Sequence, residues 1–436
     1  MSNIRICVLA EAELGGTGKA ATIYATQLVN RGYDVDYLTA KGPRTEFLKL
    51  NRVRVIDAAN SDADLYDYIV QNRPNIIHQH VPGYPVINHL YPALKRLPEK
   101  KRPKLIETNV FGRLEDPNGE KAVAFRMFVS MASAAQAFRR AHIADLLQSL
   151  NRHSVLYNPV LPSRAIHPAD RNDFRTELGV SEREVLAVRV GRPGHKWASW
   201  ECQAHSIARK KIPHLRLLVM EPPQWLTNHI ECGDFGDGII VRKETSDFDW
   251  LEQLYASADL MIHASDWGES FGYTIAEGMA AGLPVITRST PWCDNAQVEL
   301  VRNRTTGFVC WSVPEMARRL ADLSGNQDER ERMGSAARER ILALADVNDE
   351  GEILNEVIQH IVMGRSLSKI TERNARLLDF TKYFPRLERD TSESFKKHPL
   401  DFTIGSFYAG YRCLRSSVRA MGTRAGRLVS DKFSLN

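Results

Sequence analysis

The sequence has little of what a disulfide-stabilised or membrane-spanning protein needs. Its 436 residues include six cysteines, at positions 7, 202, 232, 293, 310 and 413, and no two of them form a CxxC pair. Neither a disulfide framework nor a zinc site is therefore predicted, and a reducing cytoplasm is the expected location. The first residues lack the basic start and apolar run of a signal peptide, and no run approaches the roughly 20 apolar residues that cross a bilayer.

Positive charge is concentrated near the C-terminus. The formal net charge is +5, whereas the segment 395–436 alone has eight Lys and Arg against two Asp, a net charge of +6. We expect no nucleic-acid partner, because the rest of the chain is close to neutral. The segment also has aromatic and apolar residues at helical spacing. This pattern fits a helix lying on an anionic membrane surface, and it equally fits a helix packed on the protein itself.

Strand and helix patterns alternate in two successive series. Such an order predicts an α/β fold with two Rossmann-like doubly wound domains. Apolar runs that predict the strands lie at residues 4–10, 34–39, 75–80, 184–190, 215–220, 239–241, 260–263 and 284–287.

The linker signal Leu156-Tyr-Asn-Pro159 separates the two series. We assign residues 1–160 to an N-terminal domain and 161–345 to a C-terminal domain. Residues 346–364 are predicted as a helix that can pack back on the N-terminal domain, followed by the basic tail at 365–436.

The loop after the first predicted strand is rich in glycine. A Walker A phosphate loop is excluded, because Glu13 and Ala20 replace its first glycine and its final hydroxyl residue. The run from Gly16 to Ala21 does match GxGxxA, and Asp34 or Asp36 lies near the distance expected of a ribose-binding acid. Two further interpretations stay open: backbone amides that approach an anion or a sugar, and a tight turn without any ligand.

The segment from Ser265 to Ile286 is the most specific in the chain. A strand ends in a loop with two glycines, a helix follows, and another strand begins after it. Glu269 is predicted in the loop and Glu277 on the second helical turn, with Gly272 near the helix start. Free amides of the first turn, together with the helix dipole, suit a phosphate.

Two carboxylates of this kind also have other interpretations. A glycosidase-like acid and base pair is the competing interpretation, because a loop plus a helix does not fix the distance between Glu269 and Glu277. The simplest alternative is that both are solvated surface acids. The combination of two glutamates, two glycines and a helix start disfavours this alternative.

A second loop carries two cations directly after the first strand of the C-terminal domain. In Gly191-Arg192-Pro-Gly-His-Lys196, the cations lie at the carboxyl edge of a parallel sheet, where open α/β folds bind ligands. Arg192 and Lys196 are therefore predicted to clamp a diphosphate. Solvated surface cations are the alternative.

These motifs together resemble the family 4 retaining glycosyltransferases of GT-B fold, also called glycosyl transferases group 1. The resemblance implies that the two domains face each other across a cleft. The resemblance extends over residues 4–362 and is weak between 100 and 150. Its main elements are the first glycine loop, the Arg192 and Lys196 loop, and Glu269-Ser-Phe-Gly-Tyr-Thr-Ile-Ala-Glu277. Supporting matches are Leu156 to Pro159, Glu299-Leu-Val, Thr306-Gly-Phe and Met333 to Arg340.

The resemblance implies a role for each matched residue. Arg192 and Lys196 would bind the donor diphosphate, Glu269 would orient the donor sugar, and Glu277 would accept hydrogen bonds from the ribose. No metal or other cofactor is implied, since cations and a helix N-terminus stabilise the leaving group. The implied donor contacts in the loops and the helix start are Gly15, Gly16, Ser270, Phe271, Gly272, Tyr273 and Thr274.

Several positions depart from the family pattern. Trp197 replaces a usual glycine, which suggests a narrowed site or stacking on a ligand, and the loop at Met220-Glu221-Pro222 lacks its usual glycines. The N-domain histidine of the family has no clear counterpart, and Asn109 is the predicted substitute. His78 and His80 are as consistent with a structural role as with a functional one.

The sequence therefore predicts a retaining, metal-independent enzyme that moves a sugar from a nucleotide diphosphate donor to a hydroxyl acceptor. A UDP-sugar is favoured over a GDP-sugar, and the expected acceptor is a glycan or lipid-linked glycan at the inner face of a membrane. A catalytically silent sugar-binding relative and an NAD(P)-dependent oxidoreductase are the alternatives. The second of these rests on Gly16 to Ala21 alone.

Overall fold

The computed structural model describes residues 4–10, 15–38, 42–57, 61–81, 89–112, 122–140, 152–163, 167–192, 194, 196–243, 248–290 and 293–378. The segment 395–436, for which a surface helix is predicted, lies outside these ranges. Within them, no helix combines the length and the apolar character that crossing a membrane requires.

The first half of the chain forms a parallel sheet of seven strands. They are β1 (Arg5–Leu9), β2 (Asp34–Leu38), β3 (Arg54–Ile56), β4 (Ile76–Val81), β5 (Lys104–Asn109), β6 (Val123–Phe128) and β7 (His153–Val155). Their order is β3-β2-β1-β4-β5-β6-β7. Because the order reverses between β1 and β4, the carboxyl ends of these two strands border a crevice of the kind that binds ligands. The connecting helices are α1 (Gly16–Asn30), α2 (Thr45–Leu50), α3 (Asp62–Asn72), α4 (Leu90–Lys95), a 3-10 turn (Glu99–Lys101) and α5 (Met131–Arg140).

The second half repeats this architecture with six parallel strands. They are β8 (Val185–Val190), β9 (Leu215–Met220), β10 (Ile239–Arg242), β11 (Leu260–His263), β12 (Val285–Arg288) and β13 (Gly307–Cys310). Their order is β10-β9-β8-β11-β12-β13, with the reversal between β8 and β11. The helices are α6 (Pro168–Glu177), α7 (Trp200–Arg209), α8 (Gln224–Glu231), α9 (Phe248–Ser257), α10 (Tyr273–Ala280), α11 (Gln297–Leu300), α12 (Val313–Ser324) and α13 (Gln327–Ala345). The prediction of two Rossmann-like doubly wound domains is confirmed.

Two further helices, α14 (Val347–Met363) and α15 (Ser368–Leu378), return to the N-terminal domain. Leu354 and Val357 of α14 share one apolar core with Ile6 of β1 and Tyr24 of α1. The Tyr33 hydroxyl, just after α1, donates to Asn355 Oδ1 at 2.6 Å. The chain thus passes between its domains twice. The two domains are therefore joined by two connecting segments.

The first crossing is held by a buried carboxylate of α14. The Tyr157 amide donates to Glu350 Oε2 at 2.9 Å, and Arg373 of α15 bonds to both Glu350 oxygens, at 2.7 and 2.5 Å. Burial raises the pKa of Glu350 to about 7, although the Arg373 charge opposes this. The linker is therefore fixed at its centre to the C-terminal helices.

The strands β5 and β6 lie in the part of the sequence with the weakest strand signal. Each contains a charged residue inside the sheet, and Arg126 Nε donates to Glu107 Oε1 at 2.7 Å with both side chains buried. A buried ion pair breaks the apolar run by which a central strand is recognised. This pairing explains why the sequence alone did not predict the two strands.

Candidate active site

The glycine loop of the N-terminal domain lies directly against the C-terminal domain. A Cβ atom on Gly15 would stand 2.6 Å from Arg192 Nη2, and one on Gly16 would stand 3.1 Å from Tyr273 Cδ2. A side chain at Gly15 would displace the end of Arg192, and one at Gly16 would crowd the Tyr273 ring. The structure thus brings together the two loops and the helix start that the sequence singled out separately.

Helix α10 begins with a left-handed residue. Gly272 has φ 97°, a conformation that costs little only for glycine, and it occupies the N-cap position. The amides of the following turn, which includes Tyr273 and Thr274, lack intrahelical acceptors and mark the positive end of the helix dipole. The predicted phosphate-binding geometry is therefore available at this helix start.

Glu269 is held from several directions. Lys196 Nζ donates to its Oε2 at 2.7 Å, His263 Nε2 donates to Oε1 at 3.1 Å, and its backbone amide donates to Gln297 Oε1 at 2.9 Å. Burial by itself raises the pKa of this carboxyl, but Lys196 and His263 hold it well below the usual range. Glu269 is thus a fixed anion beside a fixed cation.

Trp197 supports the backbone of the loop that carries Arg192. The indole Nε1 donates to the Arg192 carbonyl oxygen at 2.8 Å, and the Arg189 guanidinium lies 4.3 Å from the indole ring. Trp197 is only 4% exposed. Trp197 therefore supports the loop from inside the domain. Because its ring is buried, it has little surface for the stacking on a ligand that the sequence suggests.

Glu277 is engaged by residues from both domains. Lys19 of α1 forms an ion pair with Oε1, and the Tyr255 hydroxyl of α9 donates to Oε2 at 3.1 Å. The Lys19 ammonium also lies 5.3 Å from the centre of the Tyr273 ring. The carboxylate predicted to hold the ribose is accordingly also a point of contact between the domains.

The residues between Glu269 and Gly272 also contact the N-terminal domain. The Ser270 carbonyl oxygen accepts a hydrogen bond from Ser130 Oγ at 2.5 Å. The Phe271 ring is buried and packs against Tyr157 and Tyr273, with ring centres 6.4 and 5.4 Å apart. Phe271 can therefore offer a ligand its backbone amide, whereas its side chain belongs to the core.

Asn109 lies in a polar network inside the N-terminal sheet. Its side chain is 2% exposed, and its Nδ2 donates to Glu107 Oε1 at 3.2 Å. Asn109 is also the last residue of β5, at the carboxyl edge of the sheet, and its contact with the donor sugar stays a prediction.

His78 and His80 are both buried beside the same sheet. His78 Nε2 lies 2.8 Å from Thr108 Oγ1, and the two imidazole rings are 4.3 Å apart. Burial lowers the pKa of His80 to about 3 and that of His78 well below its usual value, so both rings are neutral near pH 7. These features fit the structural interpretation.

Glu299 joins the two domains at a helix terminus. Its carboxylate accepts hydrogen bonds from the Met131 and Ala132 amides, both at 3.2 Å, and from the Tyr157 hydroxyl at 2.6 Å. A residue of the C-terminal domain thus satisfies the first turn of α5 in the N-terminal domain.

The acids required by the dinucleotide interpretation are already paired. Asp34 accepts from Arg5 Nε at 2.8 Å, and Asp36 is fully buried and accepts from Arg54 Nε at 2.6 Å. A ribose at Asp36 would have to displace Arg54, whose side chain is 52% exposed, from a fully buried carboxylate, which disfavours this interpretation.

Three residues at the site, Lys19, Tyr255 and His263, were not predicted. Lys19 was considered only as a phosphate-loop lysine, and its partner Glu277 is 258 positions away. His263 ends strand β11, and a titratable residue at a strand's carboxyl end is a signal that could have found it. Tyr255 gives no such signal, since it lies within helix α9 and not at the end of a strand.

A family model described as "Glycosyl transferases group 1" matches residues 203–340. The match contains the segment from Glu269 to Glu277, and it begins after Arg192 and Lys196. It therefore covers most of the C-terminal domain and none of the N-terminal one.

Comparisons of the whole chain extend further. It is 23% identical to N-acetyl-alpha-D-glucosaminyl L-malate synthase of Bacillus anthracis over 369 residues, which cover 78% of this chain and 92% of that protein. A glycosyltransferase structure from Rickettsia africae ESF-5 matches with a TM-score of 0.67 and 17% identity, over 84% of this chain and 100% of that one. The Anabaena Alr3699/HepE structure in complex with UDP and glucose matches with a TM-score of 0.64 and 17% identity, over 82% of this chain and 100% of that one. At such identities the structural likeness shows the fold.

Proposed function

Because this chain is a group 1 glycosyl transferase of GT-B fold, we propose that it transfers a sugar from a nucleotide diphosphate donor to a hydroxyl acceptor with retention of configuration. The proposed donor is a UDP-sugar in preference to a GDP-sugar, and the proposed acceptor is a glycan or lipid-linked glycan. The Anabaena structure with UDP and glucose, which shares the fold, supports the choice of nucleotide.

One observation carries the proposal. Arg192 approaches Gly15 from the opposite domain, and Lys196 lies 2.7 Å from Glu269 in the same group of loops. A diphosphate at this position would meet two cations and the N-terminus of α10. Fixed charges that point at a leaving group stabilise the transition state without any reorganisation of the site. They perform the function that a metal ion performs in other enzymes.

The partners of Glu269 and Glu277 favour transfer over hydrolysis by an acid and base pair. Such a pair needs one carboxyl that is held protonated, whereas each of these two forms an ion pair with a lysine, Lys196 or Lys19. An anion held in this way can accept hydrogen bonds from sugar hydroxyls and orient the donor. We propose that the acceptor hydroxyl then attacks from the face that the diphosphate leaves, so that no protein nucleophile is required.

A nucleotide panel tests the donor class. Ligands that bind the folded chain raise its melting temperature, so UDP, GDP, ADP and NAD are compared at matched concentrations. We expect UDP to give the largest shift. Stabilisation by NAD alone would overturn the proposal, and UDP binding without turnover on any acceptor would leave a silent sugar-binding relative.

Turnover assays test the finer parts. We expect a UDP-sugar and a panel of glycans and lipid-linked glycans to give a product whose anomeric proton coupling matches the donor configuration. The rate should be the same with and without EDTA. An inverted product or a chelator-sensitive rate would contradict retention or metal independence, respectively.

A further inference from the structure

The Lys19–Glu277 ion pair crosses the boundary between the two domains. Lys19 is the fourth residue of α1, directly after the glycine loop, and Glu277 is on the second turn of α10. The two side chains are only 24% and 18% exposed. A pair with this exposure is still reached by salt, although it is screened less than a fully exposed pair.

The two oxygens of Glu277 are engaged by groups of different kinds. The buried Tyr255 belongs to the same domain as Glu277 and bonds to Oε2 from behind. Lys19 bonds to Oε1 from the opposite domain, on the same side as the Tyr273 ring. A ribose offers neighbouring hydroxyl donors, and each carboxylate oxygen can accept two hydrogen bonds. Because the buried Tyr255 bonds to Oε2, these hydroxyls would approach Glu277 on the Oε1 side, where the Lys19 ammonium now lies.

We propose that Lys19 competes with the donor ribose for Glu277, so that a nucleoside binds fully only when the Lys19 ammonium leaves this carboxylate. The inference rests on the donor-binding role of Glu277 proposed above. It makes Lys19 a specificity-determining residue, because the free energy needed to break the ion pair lowers the affinity for every nucleoside.

A diphosphate compensates for this loss and a nucleoside does not. The Lys19 amide bonds to the Gly15 carbonyl oxygen at 2.9 Å, so the side chain starts one helical turn from the loop proposed to cover the diphosphate. An ammonium released from Glu277 would have the phosphates of a donor as its new partner. Without phosphates the released cation has only water, and the site therefore discriminates against bare nucleosides.

Two other cations of the site remain when Lys19 is removed. They are Arg192, beside Gly15, and Lys196, beside Glu269. A variant without the Lys19 charge thus keeps cations for the diphosphate while it frees Glu277.

Uridine and UDP binding to the full-length chain test the inference, with guanosine and GDP as the parallel set. We expect Lys19→Met to tighten uridine binding about three- to tenfold, as expected for the loss of a competing, partly buried ion pair. The affinity for UDP should increase less than that for uridine, so that the preference of the site for UDP over uridine falls. Lys49→Met is the matched control, because Lys49 forms an ion pair with Glu46 on the exposed helix α2.

Salt gives a second measurement that needs no variant. Uridine carries no charge, so its binding to the wild type should tighten from low to high salt as the competing ion pair weakens. Binding to Lys19→Met should not change with salt. Equal uridine affinity in wild type and Lys19→Met, with UDP binding to both, would overturn this inference and leave the proposed function standing. Absence of UDP and GDP binding to the folded wild type would overturn both.

Discussion

Lys196 Nζ lies 2.7 Å from Glu269 Oε2, while His263 bonds to the other oxygen of the same carboxylate. This arrangement links the loop after β8 to the loop after β11, so that a cation for the diphosphate and an anion for the sugar hold each other in place. Catalysis by fixed charges requires such preorganisation, and each group can be removed separately.

Replacing Arg192 and Lys196 together by Ala should lower kcat by about two to three orders of magnitude while the fold is retained. The physical reason is that the leaving diphosphate loses both side-chain charges that stabilise it. Steady-state kinetics and a melting curve measure the two effects. Lys210→Ala with Lys211→Ala is the control, because it removes two exposed cations of the same domain. Unchanged turnover in the folded Arg192 and Lys196 variant would refute the assignment.

Glu277→Gln should weaken UDP binding by about 1 to 3 kcal/mol, because charge-assisted hydrogen bonds to the ribose become neutral ones. Calorimetric titration measures the change. Glu252→Gln is a suitable control, since Glu252 lines the same cavity beside Tyr255 without a role at the ribose. If both variants bind UDP as the wild type does, Glu277 has only a structural role.

Acid should destabilise the protein in part through His205. Burial lowers the pKa of this imidazole from 6.5 to about 4, against a weak hydrogen bond to the Leu215 carbonyl. As the pH falls from 6.5 toward 4, the unfolded chain takes up a proton that the folded chain refuses, so stability present above pH 6.5 is lost. The loss attributable to this group is roughly 3 kcal/mol when it is complete.

His205→Met removes this titration. We expect its free energy of unfolding, measured with urea, to fall less than that of the wild type between neutral and acidic pH. His214→Met should follow the wild type, because His214 is exposed. Parallel curves for wild type and His205→Met would show that His205 does not contribute.

Glu299→Ala should destabilise the chain by about 3 kcal/mol, because the Tyr157 hydroxyl and two amides of α5 lose their acceptor. Denaturant unfolding measures this change. Glu339→Ala, at an exposed position on α13, should leave stability unchanged. A similar small effect for both variants would contradict the role of Glu299 as a link between the domains.

The segment 395–436, which lies outside the described residues, is predicted either to form a helix on an anionic membrane or to pack on the protein or on a second subunit. The test is co-sedimentation with liposomes of the full chain and of a version ending near Ser394. Binding that requires this segment and anionic lipid, and that fades with salt, would support the membrane helix. Equal pelleting of both versions, or of neither, would instead favour a helix packed on the protein.

Much of the architecture follows from local patterns in the sequence. The apolar runs at Leu215–Met220 and Leu260–His263 coincide with β9 and β11, and the alternation of strands and helices predicts two parallel sheets. The strands β5 and β6 were missed because Glu107 and Arg126 neutralise each other inside the sheet. A charge that is paired in space is indistinguishable in sequence from one that is exposed.

The sequence by itself determined which residues stand near the ends of strands, and hence the group of Gly15, Arg192, Lys196, Glu269 and Glu277. Local chain geometry is sufficient for this, since a glycine turn after a buried strand places its neighbours at the sheet edge. Only the tertiary structure decided the partners of these residues. Lys19 meets Glu277 and Glu299 meets α5 because the two domains pack against each other. Contacts between residues so distant in the chain leave no periodic signal in the sequence.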